Sequence, residues 1–409
     1  MDGATWVLGP VGIDAAHRVT RPNCRQILVL VPTVTAGHRL LDLIPLLESD
    51  SRVQVVFSVP HTTEGWADPE EFVRGQHGLL MPWAQAVQHR FDLVLSASHR
   101  ELDRVRGRIL LLPHGAGSGM SRAHSRKAGG ASVTTTGLDR ELLTFRGRVL
   151  PAVVALTHDD ERTLLRERCP EAEDAGVVIG DICLDRMLAG QSMRDHYRRT
   201  LGVRDQDKLI TVSSTWTTAS TFGKWPGLCR RLLTELPSDR HRLAAVLHPS
   251  IWATHGHWQV RAWLADCLRG GLLLVPPEEG WQATVIASDW VIGDHGSTTV
   301  YAGAIGTPVS LATFPDANIR PGSLAEHLSR FAPRLDHALP LLPQFSVAAS
   351  VPPAGAAGLL RAVSSRPGRA ASALRTQMYR LLELPEPPHP ATIPPLPDPL
   401  PIRPAGGTG

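Results

Sequence analysis

The stretch from Ala287 to Leu311, ASDWVIGDHGSTTVYAGAIGTPVSL, does most to limit what this chain can fold into. Its apolar run Trp290-Val291-Ile292 is what a buried parallel strand looks like. The run stops at Gly293-Asp294-His295-Gly296, where two glycines permit a tight turn or close backbone approach. Ser297-Thr298-Thr299 then places three hydroxyls and three backbone N–H groups at the start of a helix expected over Val300 to Ile305. Gly306-Thr307-Pro308 ends that helix, and Val309-Ser310-Leu311 opens another strand. A strand, a polar turn and a helix N-terminus make a site for a negatively charged oxygen cluster, because unpaired N–H groups and the helix dipole point at it. Two readings fit: the diphosphate turn of a nucleotide-binding domain, or an ordinary βαβ corner with a serine N-cap.

The rest of the chain repeats the same alternation. Gln26 to Val31 and Arg52 to Val59 read as strands, separated by the polar turn Pro32 to His38 and a helix from Arg39 to Glu48 in which Pro45 predicts a kink. Strands follow at Phe91 to Ser96, Gly107 to Leu112 and Val149 to Leu156, and a polar helix at Asp159 to Arg168. No GxGxxG is present, yet the order is that of a Rossmann-like domain. From Ala175 a second unit of the same kind is expected. Its strands are Val177 to Asp181, Lys208 to Ser213, His241 to Leu247 and Gly271 to Val275, ahead of the 287–311 stretch. The predicted class is α/β, with two doubly wound domains facing a cleft: 1–174 binding an acceptor, and 175–345 binding a nucleotide donor. Helices are expected over 346–384. Proline is so dense from Pro385 that 385–409 reads as a disordered or polyproline tail.

Bulk properties remove several function classes. The 409 residues are 43% apolar and 20% charged, and a formal net charge of +3 is too small to imply a nucleic-acid partner. Five scattered cysteines with no CxxC pattern argue against a disulfide framework or a structural zinc and fit a reducing cytoplasm. Asp2 and Asp14 interrupt the opening residues, so no secretory leader is expected, and no apolar run approaches a membrane span.

Candidate chemistry gathers where strands end. His114 follows an apolar strand and precedes Gly115-Ala116-Gly117, small residues that leave room for a ligand. An imidazole titrating near neutrality suits the removal of a proton from an alcohol. The bland alternative is a histidine that only hydrogen-bonds its loop. His248-Pro249 ends another strand and could face a phosphate. Ser213 to Thr218 ends a third, with Thr215 and Trp216 placed to contact a ribose or a base. Within the 287–311 turn, Asp294 either orders the loop or holds a hydroxyl, and His295 stands beside it. His255-Gly256-His257 lacks a third ligand, so no metal site and no cofactor are expected. GxSxG, HExxH and Walker A patterns are absent.

Taken in order, these strand-end motifs resemble the CDP-glycerol glycerophosphotransferase family, the polymerase-type enzymes of teichoic acid synthesis. The resemblance rests on His114-Gly115, on Gly180-Asp181 with Asp185-Arg186, on Thr215-Trp216, on His248-Pro249, and on Asp289 through Ser297-Thr298. It covers roughly residues 105–315. It implies a bacterial GT-B transferase without a metal, with His114 as the general base. It also implies that His248, Asp294, His295, Gly296, Ser297, Thr298 and Thr299 lie at the donor diphosphate, with Thr215 and Trp216 near the nucleotide and Gly115 and Gly117 shaping the loop. The expected partners are a nucleotide-diphosphate donor and a hydroxyl acceptor. A UDP-N-acetylglucosamine 2-epimerase-like enzyme, which turns over donor without acceptor, and a non-catalytic nucleotide-binding module share the fold and stay open as alternatives.

Overall fold

A computed structural model describes residues 6–7, 9–11, 15–17, 19–60, 69–117, 126–128, 131–133, 136–349, 353–393 and 395–402. The chain divides into two compact units. The first comprises Met1–Ser118, Thr136–Cys183 and Ser365–Pro394; the second comprises Gly119–Thr135, Leu184–Ser364 and Pro395–Gly409.

The first unit is built on a six-stranded parallel sheet: β1 (Arg25–Leu30), β2 (Val53–Ser58), β3 (Arg90–Ser96), β4 (Arg106–Leu111), β5 (Pro151–Leu156) and β6 (Gly176–Val178). Their spatial order is β6-β5-β4-β3-β1-β2. Successive side chains on a strand point to opposite faces, and here both faces are covered. Ile27 and Val29 pack into one core with Leu93 and Leu95, while Leu28 and Leu30 pack into the other with Val94 and Leu111. That is why β1 is a continuous apolar run rather than an alternating one. Helix α1 (Val34–Leu41) follows β1 and is capped by Thr33, whose hydroxyl accepts from the Ala36 amide at 3.2 Å. The helix therefore starts within the expected polar turn and ends before Pro45, which is the second residue of a separate 3-10 turn, Ile44–Leu47. Proline is tolerated there because its missing N–H is not needed.

The expected boundary at 174/175 differs from the structure. β6 pairs with β5, Val177 against Ala155, and completes the first sheet; the chain changes unit only after Cys183. A three-residue strand carries no signal of which sheet it joins. The C-terminal helices also divide. Pro353–Val363 stays with the second unit, where Leu359 packs against Gly303. Ala370–Leu382 returns to the first and buries Leu374, Met378, Tyr379 and Leu382, each contributing about 1.5–3 kcal/mol. Tyr379 also donates to Asp50 at 2.8 Å.

The second unit holds a five-stranded parallel sheet: β7 (Lys208–Ser214), β8 (His241–Leu247), β9 (Leu273–Val275), β10 (Trp290–Gly293) and β11 (Val309–Leu311), in the order β9-β8-β7-β10-β11. The sheet winds outward in both directions from β7 and β10, so the topological switch point lies between their carboxyl ends. Asp289 anchors the opposite end of β10: it accepts from the Leu209 amide at 2.8 Å and pairs with Arg198 at 2.9 Å.

The proline-rich segment forms no helix, as expected, but 385–402 is not loose chain. Pro385 accepts from Arg52 at 2.9 Å. In the second unit Leu396 is buried, Arg186 donates to the Pro395 carbonyl at 3.0 Å, and Ile402 adds a bridge to the edge of β9 through Leu274. Prolines cannot build a ladder of their own, but their carbonyls remain good acceptors. Among the described residues, no helix is long and apolar enough to cross a membrane.

Candidate functional site

The switch point of the second unit is organised by one carboxylate. Asp294 is fully buried, immediately after β10. Its Oδ2 accepts from the Thr215 amide at 2.9 Å, the Thr215 hydroxyl at 2.9 Å and the Thr221 amide at 3.0 Å. Its Oδ1 accepts from the Gly296 amide at 3.0 Å. Three backbone N–H groups and a hydroxyl thus converge on it, which ties the loop after β7 to the turn after β10. Bonds to a charged acceptor are the stronger kind. Both oxygens of Asp294 are thus engaged by the protein, and the carboxylate organises the two loops. Thr215 is occupied by the same bonds.

Gly296 is required by close approach. A Cβ there would lie 2.5 Å from Thr215 Cγ2 and 3.1 Å from Asp294 Oδ1. It is also the N-cap of helix α2 (Ser297–Ala304), and no side chain caps that end. A glycine cap brings no side-chain oxygen to this helix end, an arrangement compatible with an external anion; the Thr299 amide donates to the Gly296 carbonyl at 3.1 Å. Ser297 and Thr298 are half-buried in this first turn. Thr299 is fully buried and packs under Gly293, where a Cβ would meet its Oγ1 at 2.1 Å. The helix begins at Ser297, three residues earlier than the apolar pattern indicated, so the hydroxyl run is its first turn. His295 is buried.

His248 stands at the neighbouring strand end, its amide bonded to the Ser214 carbonyl at 3.0 Å. It caps the helix Pro249–His255: its Nδ1 accepts from the Ser250 amide at 3.1 Å. A ring whose Nδ1 accepts carries its hydrogen on Nε2, so the cap fixes the tautomer that can donate to an oxygen anion. Trp216 is half-exposed and lines a cavity of 520 Å³ with Phe222 and Trp263.

In the first unit, His114 lies three residues past the end of β4. Its ring hydrogen-bonds the Ala97 carbonyl beyond β3, which leaves the second nitrogen as the acceptor of a proton. Solvent reaches the residue, but the strand-end loops crowd it. Desolvation is the largest effect holding its pKa below the ordinary histidine value; the Ala97 carbonyl opposes this, and the charges of Arg39 and Arg100 add to it. A lowered pKa keeps the ring neutral, and so able to take up a proton, near pH 7. His99, beyond β3, donates from Nε2 to the Gly137 carbonyl at 2.8 Å, and burial lowers its pKa to about 4.

Two groups that the sequence did not single out act on this loop. Arg39 of α1 donates to the Gly115 carbonyl at 3.0 Å and to Asp181 at 3.1 Å. Asp181 appeared only as part of a Gly-Asp pair. The available signal for Arg39 was a charged residue between Ala36 and Leu40 on the buried face of a helix. Gly117 has φ +70, a conformation that favours glycine.

No family model matches the chain, and no curated protein matches it. Among solved structures it is similar to the wall teichoic acid polymerase TagF. A histidine-to-asparagine TagF variant with CDPG superposes with a TM-score of 0.58 at 11% identity, covering 90% of this chain and 92% of that one. A histidine-to-alanine variant gives 0.55 at 12% identity over 90% and 93%. The Anabaena protein HepE in complex with UDP and glucose is a weaker likeness, with a TM-score of 0.49 at 14% identity over 88% and 99%. The likeness to TagF is one of fold: this chain is a two-unit, GT-B-like α/β protein built from two Rossmann-like sheets.

Proposed function

We propose that the protein is a GT-B-type transferase. It moves a glycerophosphoryl or glycosyl group from a nucleotide-diphosphate donor to a hydroxyl acceptor without a metal. The observation that carries this reading is the Asp294 cradle at the switch point of the second unit, with an N-terminus of α2 that no side chain caps. The Ser297 and Thr298 turn and the Nε2–H of His248 hold the donor phosphates. Trp216 lies towards the nucleotide. Asp294 and Gly296 shape the cradle without touching the donor.

His114 is the general base. The acceptor oxygen bonds to the reacting centre of the donor, the bond to the nucleotide's phosphate breaks, and the acceptor proton passes to the free ring nitrogen of His114. Charge that develops on the leaving phosphate is met by helix-end amides and His248, which suits electrostatic stabilisation by preorganised donors. The fold shared with TagF supports CDP-glycerol as the first donor to try.

The test is calorimetric titration with CDP-glycerol, UDP-sugars and GDP-sugars, followed by turnover with and without a hydroxyl acceptor. The reading expects one donor class to bind and to be consumed only when an acceptor is present. Consumption without acceptor points to the epimerase or hydrolase alternative. Failure of all of them to bind the folded protein removes the proposal.

A further inference from the structure

We propose that Arg39 is the positioning residue of the proposed base: its guanidinium, fixed by the buried Asp181 carboxylate, holds the Gly115 carbonyl and with it the loop that presents His114. The inference rests on His114 being the base. Arg39 is 5% exposed and Asp181 1% exposed. Nη1 of Arg39 donates to Asp181 Oδ1 at 3.1 Å and Nη2 donates to the Gly115 oxygen at 3.0 Å. One planar group therefore joins α1, the loop after β4 and the chain leaving β6.

The arrangement is unusual as a stability device. Taking two charges out of water costs enough that a well-packed apolar pair of similar volume is often as stable or more so. What an apolar pair cannot do is bond a loop carbonyl. Arginine suits the task because its fork offers donors in fixed directions; lysine is a point charge on a flexible stem. Asp181 follows Gly180, whose φ of +100 lets the chain turn sharply out of β6. The Gly180 and Ile179 amides both donate to the Leu156 carbonyl, at 3.2 and 2.8 Å, so the carboxylate stands on a fixed base.

The His114 loop is consequently held at two points, the imidazole by Ala97 and the next carbonyl by Arg39. The charged and titratable groups acting on the ring are Arg39 of α1 and Arg100 and His99 beyond β3, with Asp181 balancing Arg39. Losing Arg39 both frees the loop and removes a positive charge that opposes protonation of His114.

The experiment compares Arg39→Met, Arg39→Lys and His114→Ala as full-length proteins. Nuclear magnetic resonance titration of the His114 ring needs no substrate. Arg39→Met is expected to raise the His114 midpoint, whereas Arg39→Lys, which keeps the charge, leaves it nearer wild type. With whichever donor binds, kcat is expected to fall roughly 10- to 100-fold in both Arg39 variants, as for a misplaced catalytic group, with donor affinity unchanged. For Arg39→Met the acid limb of the kcat profile moves to higher pH. Should Arg39→Met fail to fold, Arg39→Met with Asp181→Leu removes both charges together; the same fall in kcat is expected, because the Gly115 carbonyl still loses its donor, with a smaller rise of the His114 midpoint. A wild-type midpoint and a wild-type kcat in the Met variant overturn the clamp. Full activity in His114→Ala overturns the base reading instead, so the two failures are distinguishable.

Discussion

The two strand-end sites, one in each unit, solve opposite problems with the same kinds of residue. Around Asp294 a buried carboxylate gathers backbone amides and a hydroxyl, and the neighbouring helix end is left without a side-chain cap. Around His114 the buried carboxylate, Asp181, is spent on an arginine, and what the loop presents is a neutral imidazole. On the proposed function, the first arrangement receives negative charge and the second a proton. A carboxylate near a site therefore need not touch substrate. In both places it acts on backbone, directly at Asp294 and through Arg39 at Asp181.

This contrast can be broken by removing the organiser of one site and watching the other. Asp294→Ala orphans three backbone amides in a buried place, at roughly 1–3 kcal/mol each. The second unit is expected to lose about 3 kcal/mol or more, read as a fall in the urea midpoint, and donor binding should go with it. The His114 ring titration should stay where it was. A moved titration would mean that the two sites are not separately organised.

His248→Ala is a smaller change. It removes one helix cap, worth about 1 kcal/mol, together with one donor to the proposed phosphates. Weaker donor binding with little change in fold is expected by calorimetry and thermal melting. His248→Asn sharpens the point, because asparagine is also a good cap: it should restore the melting temperature without fully restoring affinity. Equal affinity in all three proteins would remove His248 from the phosphate site.

The smallest effect is on pH dependence. His99 and His114 have folded-state pKa values below the ordinary 6.5, His99 at about 4, in both cases chiefly through desolvation. Between the folded and unfolded values the unfolded chain binds more protons, so stability falls as pH drops through that window. For His99 the window is about pH 6.5 down to 4. Hydrogen exchange at pH 7 and pH 5 should show faster opening of β3 and β4 at the lower pH. No change in their exchange free energy would contradict the lowered values.

Much of this architecture was legible in the chain. Continuous apolar runs such as Ile27–Val31 identified strands buried on both faces, and the glycine at 296 marked a turn that a side chain would obstruct. His114 and His248 stand out as candidates because each sits just past such a run. What could not be read was the use made of a polar group. Thr299 and Ser297 look alike in sequence, yet one packs under Gly293 while the other stays half-buried in the first turn. Arg39 reads only as the start of a helix until the chain around Asp181 is brought beside it. Segment 385–402 looks free because prolines form no regular element, but its carbonyls and Leu396 find partners far away in sequence. Each of these depends on tertiary neighbours that no local pattern encodes.

The central claim is that donor holding and proton acceptance are assigned to different units. It is tested most directly by measuring donor affinity and transfer rate together in wild type and His114→Ala. The account predicts an unchanged Kd with a transfer rate lowered on the order of 10²- to 10⁴-fold. A variant that transfers at the wild-type rate, or one that no longer binds the donor while remaining folded, would contradict it.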